Sequence, residues 1–153
     1  MFLLFVLPWL LATATPAFAQ QATAVEPAEL ARRNDLVGRE IVVDDRVAFY
    51  VTRSGTEDDE IRLKRTSVPF YVPSRLRPEN ASRMSAVVAR GMLEREGTRL
   101  VCRVTELRPV PNDLDRLKQG LSNLAAQDYL TRQAWARWAE QRGKEFNDNA
   151  LVQ

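Results

Sequence analysis

Hydrophobic positions alternate through the middle of this chain and recur at helical spacing toward its C-terminal end. In residues 39–51 (REIVVDDRVAFYV), Ile41, Val43, Val47, Phe49 and Val51 fall on one face at a period of two, which predicts a strand. Asp44-Asp45-Arg46 interrupts that face, as a bulge in one long curved strand or as a tight hairpin turn. Residues 61–65 and 68–72 predict two more strands, Ile61 and Leu63 alternating in the first, Val68, Phe70 and Val72 in the second. Pro69 cannot donate a ladder hydrogen bond and is expected at an edge or irregularity of the sheet. Residues 86–93 and 99–107 pair as strands four and five across 94–98, where Gly97 is placed to take the positive φ of a hairpin connection. Gly91, inside strand four, predicts a bend or a close backbone approach. Cys102 shares a face with Leu100 and Val104 and is read as a buried small hydrophobe.

The period switches after Pro109 and Pro111. Leu114, Leu117, Leu121 and Leu124 recur at 3-4-3 spacing, an amphipathic helix started by Asn112 or Asp113 as its cap. Residues 125–128 (AAQD) either break this helix or are continuous with the next. The second helix runs to about Arg142, with Leu130, Ala134, Trp135, Trp138 and Ala139 on its apolar face and Gly143 as its stop. The expected fold is mainly β with an α tail: five strands over residues 37–111, then two helices over 112–153. Residues 20–36 are polar and Ala-rich and read as a linker, with one helical turn begun at Pro27.

The first residues, 1–11 (MFLLFVLPWLL), carry no charged side chain, and small residues then lead to Ala17-Phe18-Ala19 before Gln20. A short apolar core ending in Ala-x-Ala predicts a secretory signal at 1–19, cut between Ala19 and Gln20, because the peptidase accepts only small side chains at those two sites. Pro8 and Pro16 interrupt the segment, and its uniformly apolar part is shorter than the ~20 residues a membrane span needs. The expectation is an exported product, periplasmic or extracellular, with no stable span after cleavage. Cys102 is the only cysteine, so no disulfide can form within the chain and none sits at the cleavage site to take a lipid.

Composition removes more chemistry than it suggests. A net charge of +2 from 22 basic and 20 acidic side chains is too balanced to imply nucleic acid or an anionic membrane. All the basic residues but Lys64, Lys118 and Lys144 are arginine, a bias that suits bidentate contacts but also follows from a GC-rich genome. The chain has no histidine, which removes the commonest general base and zinc ligand. Asp44 and Asp45, adjacent on a strand, point to opposite faces and do not make a catalytic pair. Glu57-Asp58-Asp59-Glu60 lacks the ligand spacing of a calcium loop and reads as a solvated turn. No enzyme activity, cofactor or metal is expected.

Five strands then helices, with a long first strand and a 4–5 hairpin carried by 86–93 (AVVARGML) and 100–104 (LVCRV), resemble the oligonucleotide/oligosaccharide-binding (OB) fold. Leu63-Lys64-Arg65-Thr66, Val72-Pro73 and Leu76-Arg77-Pro78 resemble a group of exported bacterial proteins of unassigned function. Residues 134–139 (AWARWA) with Gly143 are similar to the first helix and turn of a tetratricopeptide-like hairpin. In the OB fold strands two and three form the usual ligand face, which makes Arg62, Lys64, Tyr71, Arg75 and Arg77 a candidate strip for a polyanion or glycan. An ordinary charged solvent face is the preferred reading of that strip. The leading function is a non-enzymatic protein-interaction module whose partner is an envelope protein, met through Trp135 and Trp138 on the helical tail. The polyanion or glycan binder is the alternative.

Overall fold

The computed structural model describes residues 21–53, 55, 57–125 and 127–152, so the signal and its cleavage site lie outside the described residues. Strands β1 (Thr23–Ala24), β2 (Glu40–Val51), β3 (Asp58–Leu63), β4 (Phe70–Pro73), β5 (Ala86–Glu96) and β6 (Arg99–Val110) form one sheet. Its order is β1-β2-β3-β4-β6-β5, and a further β2–β5 pairing closes the last five strands into a barrel. All barrel pairings are antiparallel except β4 with β6, where Phe70 lies opposite Cys102. Helix α1 (Pro27–Leu30) precedes the barrel, and α2 (Asp113–Ser122) and α3 (Tyr129–Phe146) follow it. No described helix is long and apolar enough to cross a membrane.

The core is the inward face of the barrel: Ile41, Val43, Ile61, Leu63, Phe70, Val72, Val87, Ala89, Leu93 and Cys102 are buried together. Cys102 is fully buried, and burial pushes its thiol up to about 12, with Glu94 adding to the shift. The native protein is therefore expected to react with a thiol reagent only on unfolding; labelling at the rate of a free thiol would contradict the packing. Gly91 sits at a register shift in the β5–β6 ladder, where Arg90 faces Glu106 and Gly91 faces Val104. A Cβ there would collide with the Arg103 carbonyl oxygen and lie 2.8 Å from Cys102 Sγ, so the close approach expected at Gly91 is present. Gly97 turns the β5–β6 hairpin at φ 61°.

Several expectations are corrected. Residues 21–36 are not a linker: β1 pairs in parallel with β2, Val25 N–H donates to the Val42 carbonyl (2.9 Å), and Val25, Leu30 and Leu36 join the core. Asp44-Asp45-Arg46 pairs regularly with β5. The irregularity falls two residues later: Val47 pairs with Leu63 but Phe49 with Arg62, leaving Ala48 as an extra residue. An inserted residue reverses which face every later side chain takes. Phe49 and Val51, expected inside with Ile41 and Val43, are therefore 53% and 42% exposed, while Tyr50 packs on the core.

In the tail, Asn112 caps α2 by accepting from Asp115 N–H (2.9 Å), and the two helices are separate elements, α2 ending at Ser122 and α3 starting at Tyr129. Gly143 does not stop α3. It is buried inside the helix, where a Cβ would collide with Val152 and meet Asp148 O at 3.1 Å. Asn147 supplies the left-handed residue instead (φ 52°), and Asp148 N–H closes the helix end on the Gly143 carbonyl at 2.8 Å.

Candidate functional site

Of the proposed ligand strip, Arg62 lies on β3 and Tyr71 on β4, Lys64 follows β3, Arg75 and Arg77 follow β4, and most of the five are engaged within the chain. Arg62 pairs with Glu60 and donates to the Ser67 carbonyl at 2.9 Å. Arg77 forks onto Asp59 at 2.6 and 2.8 Å. Burial opposes ionisation of Asp59, but the Arg77 fork and the Tyr50 hydroxyl, which donates to it at 2.7 Å, outweigh that and hold its carboxyl below the usual range. Burial, then Asp59 itself, raises the Tyr50 hydroxyl. Asp59 and Glu60 are buried members of β3, which corrects their reading as part of a solvated turn.

Tyr71 does lie opposite Phe70 and Val72, but it is only 5% exposed and offers no stacking platform. Arg103 and Arg53 cover its ring, with guanidinium carbons 4.7 and 5.4 Å from the centroid, and Arg99 donates to its hydroxyl at 2.9 Å. Arg103 is itself paired with Asp58, Glu94 and Glu96. Of the five strip residues, Lys64 and Arg75 are exposed and carry no side-chain ion pair among those described. The face as a whole is charge-compensated.

A second charged cluster joins barrel to tail. Asp113, at the first turn of α2, is 1% exposed and accepts from Arg46 of β2 (2.7 Å) and Arg142 of α3 (3.3 Å). Arg46 also reaches Asp148 (2.7 Å) and lies over the Phe146 ring at 4.3 Å. Arg116 forks onto Asp44 at 3.0 and 2.8 Å. Asp45 turns the other way, fully buried, and accepts from the Arg65 backbone (2.8 Å) and side chain (3.0 Å). Arg65 extends to Glu26 (2.5 Å) and Glu145 (2.6 Å). The interruption Asp44-Asp45-Arg46 is thus the seat on which the helices dock.

Trp135 and Trp138 are half-buried and meet edge to face, with centroids 5.3 Å apart. Trp135 lies against Gly120 of α2, where any Cβ would collide with its ring. Trp138 is flanked by Arg116 (5.4 Å) and Arg142 (5.9 Å). With Thr131 and Ala134 they line an open groove of about 250 Å³, edged by Arg116. Leu130, one turn before Ala134 on α3, is 80% exposed, and Tyr129 is 71% exposed.

Sequence reasoning missed Arg53, Arg99 and Arg103 around Tyr71, and Arg46, Asp113 and Arg142 between barrel and tail. Their one local signal was an acidic-basic triplet inside an otherwise apolar strand face. The partners lie 67 residues away in the case of Arg46 and Asp113.

No protein-family model matches this chain, and no curated protein matches it. Among solved structures, OBody AM3L15 bound to hen egg-white lysozyme is similar over 60% of this chain and 96% of that one, at 20% identity and a TM-score of 0.46. The S. pombe Stn1-ten1 complex is similar over 70% of this chain and 94% of that one, at 15% identity and a TM-score of 0.45. The hypothetical protein ygiW from E. coli is similar over 59% of this chain and 90% of that one, at 13% identity and a TM-score of 0.40. What the strand order establishes is the fold: a long curved β2 pairing with both β3 and β5, and a parallel closure of β4 on β6, make this a five-stranded OB-type barrel with a helical tail.

Proposed function

We propose that this chain is a non-enzymatic protein-interaction module of the cell envelope, exported by the signal read at residues 1–19. Its docking surface is the outer strip of α3. The observation that carries this reading is Leu130, a large apolar side chain 80% exposed beside the groove lined by Ala134, Trp135 and Trp138. Exposed apolar surface next to half-buried tryptophans is the composition of an interface hot spot, where an aromatic anchor is shielded from water when the partner arrives. The partner that fits is a protein segment placing an apolar side chain in the groove. The Arg62–Arg77 strip is the weaker surface, because Arg77 is held in a two-bond fork on Asp59 and Tyr71 is covered.

A photo-activated crosslinker placed at position 130 or 134 in the full-length protein tests this in intact cells. A discrete protein adduct is expected from both positions and not from position 75 on the strip. Leu130→Asp should weaken the complex at least tenfold with an unchanged circular dichroism spectrum, since an exposed side chain contributes little to folding. Adducts from position 75 alone, or a complex indifferent to Leu130→Asp, would overturn the docking surface. Recovery of the protein in the cytosol with Met1 still in place would overturn export.

A further inference from the structure

A cavity of about 340 Å³ opens at the end of the barrel where the β5–β6 turn meets the loop before β4. Three arginines from three different strands line it: Arg62 of β3, Arg95 of β5 and Arg99 of β6. None of the described residues lining it is acidic, and Asn34, Ser67 and Thr98 add neutral polar groups around the floor made by Val68 and Leu100. We propose that this cavity binds a phosphate-type oxyanion carried by a small molecule.

Each guanidinium is anchored by a neutral acceptor. Arg95 donates to Asn34 Oδ1 (2.7 Å), Arg62 to the Ser67 carbonyl (2.9 Å) and Arg99 to the Tyr71 hydroxyl (2.9 Å). A guanidinium carries five N–H donors in a planar fork, so one neutral contact orients it and leaves donors for a ligand. Arg62 also meets Glu60 and Arg99 meets Glu96 (3.2 Å), neither of which lines the cavity. Arg95 has no ion-pair partner among the described residues. Three cations against two neighbouring carboxylates leave an excess positive charge facing the cavity, and an oxyanion with several acceptor oxygens can engage more than one fork at once. The volume lies at the small end of the range for ligand pockets, which suits a compact phosphorylated compound. The site is separate from the α3 strip and stands or falls independently of it.

Titration of the full chain with inorganic phosphate at low ionic strength, followed by calorimetry and backbone amide shifts, tests the assignment. Saturable one-to-one binding is expected, with shifts concentrated on residues 95–99 and on Ser67 and Val68. Arg95→Gln loses both the charge and the Nη2 contact to Asn34, and should weaken binding at least tenfold, while the exposed position keeps the thermal midpoint unchanged. Arg75→Gln, an exposed arginine outside the cavity, and Leu130→Asp should leave it unchanged. Non-saturating binding, equal losses in Arg95→Gln and Arg75→Gln, or saturable binding of acetate but not phosphate would each overturn the proposal.

Discussion

Replacing Asp113 with alanine is expected to destabilise the protein by about 3–5 kcal/mol and to release the two C-terminal helices from the barrel. The carboxylate is buried between Arg46 and Arg142, both of them largely covered. Truncation leaves Arg46 with Asp148 alone (2.7 Å) and Arg142 with only the longer contact to Asp44 (3.6 Å). The loss of a partner for these largely covered cations, rather than the net worth of the pairs, sets the cost, toward the lower end of that range. Arg142 Nε already has no hydrogen-bond partner, and the nearest other carboxylate to this guanidinium is Asp44 at 3.6 Å. Asp113→Asn keeps the shape and one acceptor and should fall between alanine and the native protein. Urea unfolding gives the magnitude, and limited proteolysis near residues 110–112 reports release of the helices. A loss below about 1 kcal/mol, with the junction still protected, would mean that the pairs Arg116–Asp44, Arg46–Asp148 and Arg65–Glu145 seat the tail without Asp113, whose own pairs would then be worth no more than exposed ones.

Gly91→Ala carries the second large effect, a loss of about 3 kcal/mol from overpacking. The added methyl would meet two things of different kinds: a side-chain sulfur at 2.8 Å and the Arg103 backbone carbonyl oxygen. Cys102→Ala removes the first and leaves the second, so the double variant should recover only part of the loss. The carbonyl cannot retreat without opening the β5–β6 ladder at its register shift. Because Cys102 lies directly under this point, Gly91→Ala alone should also raise its reactivity toward a thiol reagent under native conditions. Full rescue by Cys102→Ala would show that only the sulfur stands in the way.

The positions of both predictions mark how far local reading reaches. The alternation at Ile41, Val43, Ile61, Phe70 and Val72, the turn at Gly97, the close approach at Gly91, the buried Cys102 and the change to helical spacing at Leu114 were all legible in the sequence. Each depends on neighbours within a few residues, and side-chain period alone separates strand from helix. From those elements the OB-type order of strands followed, and with it the face on which to look for a ligand.

The site itself was less legible, because its chemistry depends on which charges meet. Arg77 and Asp59 stand 18 residues apart and Arg46 and Asp148 stand 102 apart, so no local pattern says that each is already neutralised. A charged residue is read as solvated by default, which is why Asp59 and Glu60 were placed in a solvated turn and proved buried. Tyr71 was correctly assigned to the outer face of β4, yet only the packing of Arg53 and Arg103 decided that it would be covered there.

What the sequence by itself determined, then, is the kind and order of the elements, set by side-chain period, proline and glycine. What only the tertiary structure decided is register and partnership. Phe49 is the clearest case: its spacing from Ile41 and Val43 is that of an inward residue, and it is exposed because Ala48 is one residue more than β3 can pair. Gly143 is another, since glycine is the usual helix stop, yet here its missing Cβ makes room for Val152 and Leu151, and Asn147 ends the helix. A bulge is a mismatch between two strands, and a tight contact belongs to the two segments that make it. Neither is a property of one stretch of chain, so neither can be read from one.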